Sequence, residues 1–184
     1  MNNISIRNGL HSGIVIMVLG SLLHAISPRY FLNWYGFVGY VVFLIFMVRS
    51  VLQVRENEGG ILSFGPAFVA AFIPMTIGVY ISSIFTYALH NWINPYLIFL
   101  MKEIVIETTT VIMEKMSEMF DIDMDEDEVL KKLEKVNYGF SFGSLVLSWI
   151  TTSIMGCLPA LIIAAFFKSG EDYYKLLFIK FTQV

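Results

Sequence analysis

Charge is what this sequence lacks over most of its length. Four stretches, Asn8–Pro28, Tyr30–Val48, Gly59–Met101 and Val136–Phe167, contain no Asp, Glu, Lys or Arg. A hydrocarbon core about 30 Å thick needs about 20 mostly apolar helical residues to span it. Each stretch holds a segment of that order. A charged side chain at the bilayer centre costs roughly 3 kcal/mol or more, so charge-free windows are what a membrane selects. The missing charges predict an integral membrane protein with four helices. They also remove the usual means of catalysis, because no Asp or Glu lies in a span to serve as acid or base. No catalytic residue is assigned, and the chain is not expected to be an enzyme.

Cysteine is nearly absent too. Cys157 stands alone, which excludes an internal disulfide, and it lies in an apolar segment where it packs as a small apolar residue. No excess of positive charge exists to draw nucleic acid, since the formal net charge is -3. What the chain has instead is 57% hydrophobic residues against 15% charged, where soluble domains carry about 25% charged residues. The lipid bilayer is the expected partner.

The spans read as about 10–27, 31–50, 64–89 and 140–167 of a single membrane domain, 1–184. Arg7 followed by Gly13–Leu23 imitates a signal peptide, but Pro28 follows the small residues Ala25 and Ser27 and is a poor residue after a cleavage point. The first span is read as retained, with cleavage as the alternative. Ser27-Pro28-Arg29 predicts a tight turn. Trp34 and Tyr35 suit the headgroup level. Gly59-Gly60 marks the second loop, and Pro66 fits the first turn of span three. Pro74 and Pro159 predict bends in spans three and four.

Between spans three and four, residues 96–135 predict an acidic extramembrane helical hairpin. Glu103, Glu107, Thr110, Glu114 and Glu118 fall three or four apart and define one polar helix face. Leu97, Leu100, Met101, Ile104, Thr108, Val111, Ile112, Met116 and Met119 fill the other. Membrane-surface helices favour Lys and Arg on their polar face; this face is acidic, so docking on protein is expected. Asp121, Asp123, Asp125, Glu126, Asp127 and Glu128 then lead into a second short helix, with Glu128 four residues before Lys132. Asp125 with Glu128 resembles a capping box. The tail Tyr173–Phe181 mixes aromatics with lysines and is expected along the interface.

Orientation rests on a tie. Arg7, Arg49, Arg55, Lys168, Lys175 and Lys180 fall on the side of the termini, and Arg29, Lys102, Lys115, Lys131, Lys132 and Lys135 on the other. The short loops favour cytoplasmic termini.

No cofactor and no metal site are expected. An EF-hand loop needs Gly at its sixth position and Glu at its twelfth. Counted from Asp121, those positions hold Glu126 and Lys132. A solvated helix start is the reading, with a weak divalent-cation site as the alternative. His24 and His90 lie near the ends of two spans that run the same way, so they form a candidate interfacial polar site. Hydrogen bonding at the interface is the expected role, and a shared metal or proton site the sharper one.

Span four carries Ser144, Ser148, Thr152, Gly156, Ala160 and Ala164 at every fourth position. Such a small-residue ridge lets helix backbones approach closely in lipid. Packing against span three is expected, and a homo-oligomer or partner-protein seam is the alternative.

The stretch Glu58–Phe68, E-G-G-I-L-S-F-G-P-A-F, and the stretch His90–Tyr96, H-N-W-I-N-P-Y, together resemble a family of uncharacterised four-span bacterial membrane proteins, mainly from the Bacteroidetes, known only as a domain of unknown function. The resemblance covers nearly the whole chain. It implies a bacterial inner-membrane location and carries no activity, substrate or catalytic residue. The functional expectation is a non-catalytic accessory or scaffold subunit of an inner-membrane assembly. A small transporter or lipid-handling protein is the alternative.

Overall fold

In the computed structural model, residues 2–120 and 126–168 are described. Among them the chain is all-helical: α1 Asn2–Ile26, α2 Pro28–Asn57, α3 Phe64–Ala88, a π turn Leu89–Ile93, α4 Leu97–Phe120, α5 Glu126–Glu134 and α6 Phe142–Phe167. Among the described residues, four helical segments are long and apolar enough to cross a membrane: Asn3–Ile26, Pro28–Asn57, Phe64–Ile93 and Phe142–Phe167. The 30 residues of α2 span about 45 Å at 1.5 Å per residue, more than the hydrocarbon core requires. Its last turns, with Arg49 and Arg55, therefore reach headgroup depth or the helix tilts. Ile14, Val18, Leu22, Phe37, Ile45, Leu147, Ile154 and Leu158 are exposed on the outer faces of the spans. A soluble monomer rarely leaves so much contiguous apolar surface in water. These faces suit acyl chains, and the chain is described as a membrane protein on that ground.

The helices start and stop for local reasons. Ser27 is the one residue between α1 and α2, with extended backbone (φ -164°, ψ 129°), and Pro28 opens α2. The expected Ser27-Pro28-Arg29 turn is thus a single-residue break: proline ends one helix and starts the next, where its missing N–H costs nothing. At the far end of α2, Gly59 and Gly60 adopt φ values of +73° and +87°. Gly60 N–H donates to the Arg55 carbonyl and Gly59 N–H to the Glu56 carbonyl. This is a Schellman stop, which needs a left-handed residue that glycine supplies without strain. The Arg55 side chain adds a 2.8 Å bond from Nε to the Gly60 carbonyl. Pro66 sits within the first turn of α3, as its sequence position predicts.

Two compact units divide the chain: Met1–Phe85 with the chain from Leu145, and Thr86–Ser144. The boundaries of the second unit fall inside α3 and just inside α6. In the first unit α3 is the central helix. Gly9 and Gly13 of α1 lie against Ile77 and Ile81, and Gly156 of α6 lies against Met75. Tyr35 of α2 shares a 2.8 Å hydrogen bond with Ser82. Its core gathers Phe43, Met47, Val51 and Val54 of α2 with Ala67, Ala70, Ala71 and Met75 of α3 and Ala160 and Ala164 of α6.

In the second unit the expected apolar face of α4 is covered only in part: Val111, Ile112, Met116 and Met119 are exposed. Glu103, Glu107, Glu114 and Glu118 are exposed, and Leu97 and Met113 are its buried side chains. In α5, Lys132 pairs with Glu128 at 2.6 Å, both well exposed. Such a pair contributes little. Asp121, Asp123, Asp125, the cap expected there and the tail Tyr173–Phe181 lie outside the described residues.

Candidate functional site

Membrane helices are expected to spend buried polar atoms carefully, since lipid offers no replacement partner. In the first unit they concentrate on one face of α1. Ser5, Asn8 and Ser12 recur three and four apart and are buried, as is Ser50 of α2. Asn8 Nδ2 donates to Gln53 Oε1 at 2.8 Å and to the Ile4 carbonyl at 3.0 Å. Ser50 Oγ donates to Ser5 Oγ at 3.2 Å. Ser12 Oγ donates to the Gly9 carbonyl at 2.8 Å and lies 3.5 Å from the Pro74 carbonyl. Glycine makes this seam close: a Cβ at Gly13 would come within 2.7 Å of Ile81 Cβ, and one at Gly78 within 2.6 Å of Phe43 Cε1.

The expected ridge on α6 divides in use. Ala160 and Ala164 are fully buried and Gly156 is buried against the Met75 side chain. Ser148 and Thr152 are half-buried. Trp149, beside Ser148, donates its indole N–H to the Thr76 carbonyl at 3.1 Å and meets Tyr80 edge-on at 5.7 Å. Ser144 does something else, inside the second unit. Its N–H donates to Ser141 Oγ at 3.1 Å and its hydroxyl to the Ser141 carbonyl at 2.7 Å. Ser141 is the N-cap of α6, so the top of the ridge closes a helix end.

The two histidines belong to different units. His24 is half-buried, with its ring edge-on to Phe31 at 6.0 Å. His90 is buried in the π turn, where Asn94 N–H reaches five residues back to the Leu89 carbonyl at 2.8 Å. A π turn disturbs the regular ladder of carbonyls before it, and two side chains bond there. His90 Nδ1 lies 2.8 Å from the Thr86 carbonyl; a carbonyl only accepts, so Nδ1 carries the proton. Asn91 Nδ2 donates to the Tyr87 carbonyl at 2.9 Å and to the Phe140 carbonyl at 2.9 Å. The His90 ring stacks on Phe140 at 5.1 Å. His90 and Asn91 thus fasten the turn to the residue just before α6.

Residues 7–169 match the family described as Protein of unknown function (DUF4199). The chain belongs to that family. No curated protein matches the chain, and no solved structure does. Both stretches that carry the resemblance are places where backbone geometry is unusual in this DUF4199 chain: Gly59-Gly60 forms the left-handed stop, and His90 to Ile93 lie in the π turn Leu89–Ile93. Among the described residues, no group of three His, Cys, Asp or Glu could hold a metal ion.

Sequence reasoning missed the α1 seam, although the signal was there: Ser5, Asn8 and Ser12 follow the same helical spacing as the α6 ridge. It missed the clamp of Asn91 on Phe140 for a better reason. Those residues are 49 positions apart, and no local pattern pairs them.

Proposed function

We propose that this DUF4199 protein is a non-catalytic accessory or scaffold subunit of a bacterial inner-membrane assembly, with cytoplasmic termini. The observation that supports the reading is the use made of buried polar side chains. Asn8, Gln53, Ser5 and Ser50 are paired helix to helix, and Trp149 is bonded to a backbone carbonyl. Groups spent on holding helices together are not displayed to a substrate. The exposed remainder of the chain is left for lipid and for a protein partner.

The test is crosslinking in native membranes followed by identification of what is attached. One recurrent membrane-protein adduct supports the reading. A chain that yields no adduct, and that moves a solute or lipid when reconstituted alone, overturns it. Orientation is tested separately with single cysteines at Glu128 and Lys168 in a Cys157→Ala background. They should label from opposite sides, Lys168 from the cytoplasm.

One observation favours the transporter or lipid-handling alternative. A groove of about 500 Å³ on α2 is lined by Leu44, Ile45, Val48, Leu52, Arg49, Gln53 and Glu56. Its apolar floor with a cation beside it suits an acyl chain under an anionic headgroup. Co-purified lipid that is lost in Arg49→Gln would support that alternative.

A further inference from the structure

Charge stays away from this chain for longer than the third span requires. No Asp, Glu, Lys or Arg occurs from Gly59 to Met101, whereas the segment apolar enough to cross a membrane ends at Ile93. The run from Asn94 to Met101 lies beyond it. Burial within the chain does not account for that run, because Leu97 is its one buried residue. Its largest side chains and those just before it stand bare. Trp92 is 75% exposed, Ile93 64%, Tyr96 60% and Phe99 70%. Trp92 meets Tyr87 edge-on at 5.7 Å, and the Tyr96 ring lies 6.4 Å from that of Phe99. All of them belong to the second unit.

An apolar run too short to span a bilayer is either buried in a core or placed at the membrane interface. The exposures rule out the core of this chain. The residue types favour the interface. Trp and Tyr join an apolar ring to a polar tip and concentrate at the headgroup level. Trp92 occupies the last turn of the third span, where that level falls. The lipid contact of the span therefore continues through the turn into the start of α4. The acidic positions that suit a protein partner begin at Glu103, after this patch. Lys102, just before them, can send its ammonium to lipid phosphates while its stem stays among apolar groups.

We propose that Trp92, Ile93, Tyr96 and Phe99 form an aromatic elbow seated in the headgroup–acyl boundary of the lipid bilayer. Past Lys102, α4 rises out of that boundary, with Glu107, Glu114 and Glu118 in water. The elbow is a surface that the scaffold reading does not use. A purified chain tests it with no partner present, so either reading can fail without the other.

The test uses the full chain with Cys157→Ala, reconstituted alone into phosphatidylcholine vesicles. Spin labels are attached in turn through Tyr96→Cys, Phe99→Cys and Glu114→Cys. Ile45→Cys supplies a reference on an exposed face of α2. Power saturation compares collisions with oxygen, which concentrates in the bilayer, and with a nickel chelate confined to water. Labels at Tyr96 and Phe99 should favour oxygen as the Ile45 label does, at a depth of about 5–10 Å. The Glu114 label should favour nickel. A second readout leaves the elbow unchanged. Trp34→Phe/Trp149→Phe makes Trp92 the last of the 3 tryptophans. Its emission should fall in vesicles of brominated phosphatidylcholine, and by more than iodide in the water lowers it. The proposal is overturned if nickel reaches Tyr96 and Phe99 as readily as Glu114, which leaves the elbow in water for a protein partner. It is overturned equally if neither reagent reaches them, which puts the elbow beneath a second copy of the chain, or if brominated lipid leaves Trp92 emission unchanged.

Discussion

Two seams hold α3 in the first unit, and they are built differently. Against α1 and α2, α3 meets glycine, serine and an aromatic ring: Gly9, Gly13 and Ser12 on one helix and Phe43 on the other. Against α6 it meets alanine and methionine: Ala160 and Ala164 are fully buried and Met75 covers Gly156. The first seam has directional bonds, Tyr35 to Ser82 and, at 3.5 Å, Ser12 to the Pro74 carbonyl, and beside it α1 is tied to α2 by Asn8 with Gln53 and Ser50 with Ser5. The second has one, from Trp149. Directional bonds fix register, because a one-turn slip breaks them all. A small-residue seam fixes only distance. The hairpin of α1 and α2 is thus specified residue by residue, while α6 is held by shape with one indole as its pin.

The contrast can be broken at its tightest point first. Gly78→Leu would drive a side chain into Phe43 and Ser12 at once, and neither a packed ring nor a helix face yields. Overpacking costs about 1–3 kcal/mol, and this site should lie at the top of that range or beyond. Thermal unfolding in detergent should show it as the largest loss of the series.

Gly156→Leu comes next, at about 2 kcal/mol. The neighbour here is the flexible end of Met75, which can move aside. Stability should fall while the oligomeric state, read by light scattering, stays unchanged. If the variant keeps its stability while a wild-type dimer separates, the α6 seam joins two chains.

Asn8→Leu removes the strongest directional pair of the α1 seam and leaves Gln53 unpartnered by Asn8. Interhelical bonds in membranes contribute about 0.6 kcal/mol on average and up to about 1.7, so a loss of about 1 kcal/mol is expected. Ser5→Ala with Ser50→Ala deletes both halves of a neutral hydroxyl pair. Its effect should be about 0.5 kcal/mol or less. A larger loss from the serine pair than from Asn8 would show that register is set by the serines.

The four apolar helices were legible because lipid imposes a rule that acts on every residue of a span. Pro28, Pro66 and Gly59-Gly60 were legible because their constraints are local: one fixes φ and lacks a donor, the other tolerates positive φ. On α4 the exposed acidic positions were legible from their period, but Met113 was missed and Met116 and Met119 of the expected covered face are exposed. Ser144 was misjudged as ridge packing because a serine three residues into a helix has two uses, and spacing alone does not separate them. Ser141 just upstream was the deciding clue. The π turn at Leu89–Ile93 was not legible, since part of what holds it, the bond and ring contact to Phe140, lies in a distant part of the sequence. Periodicity reports on a helix and its environment; it says nothing of which partner a polar tip will meet.

The single-residue break at Ser27 bears on how the chain enters the membrane. With Ser27 alone between α1 and α2, the connector has no slack, and in the folded chain the two helices cannot slide past each other. The pairing of Asn8 with Gln53 is then completed only when the ribosome has finished the second helix. Until that moment the amide of Asn8 has the Ile4 carbonyl of its own helix to bond to. That local bond gives the nascent chain a resting state for a polar group that would otherwise stall partition into lipid.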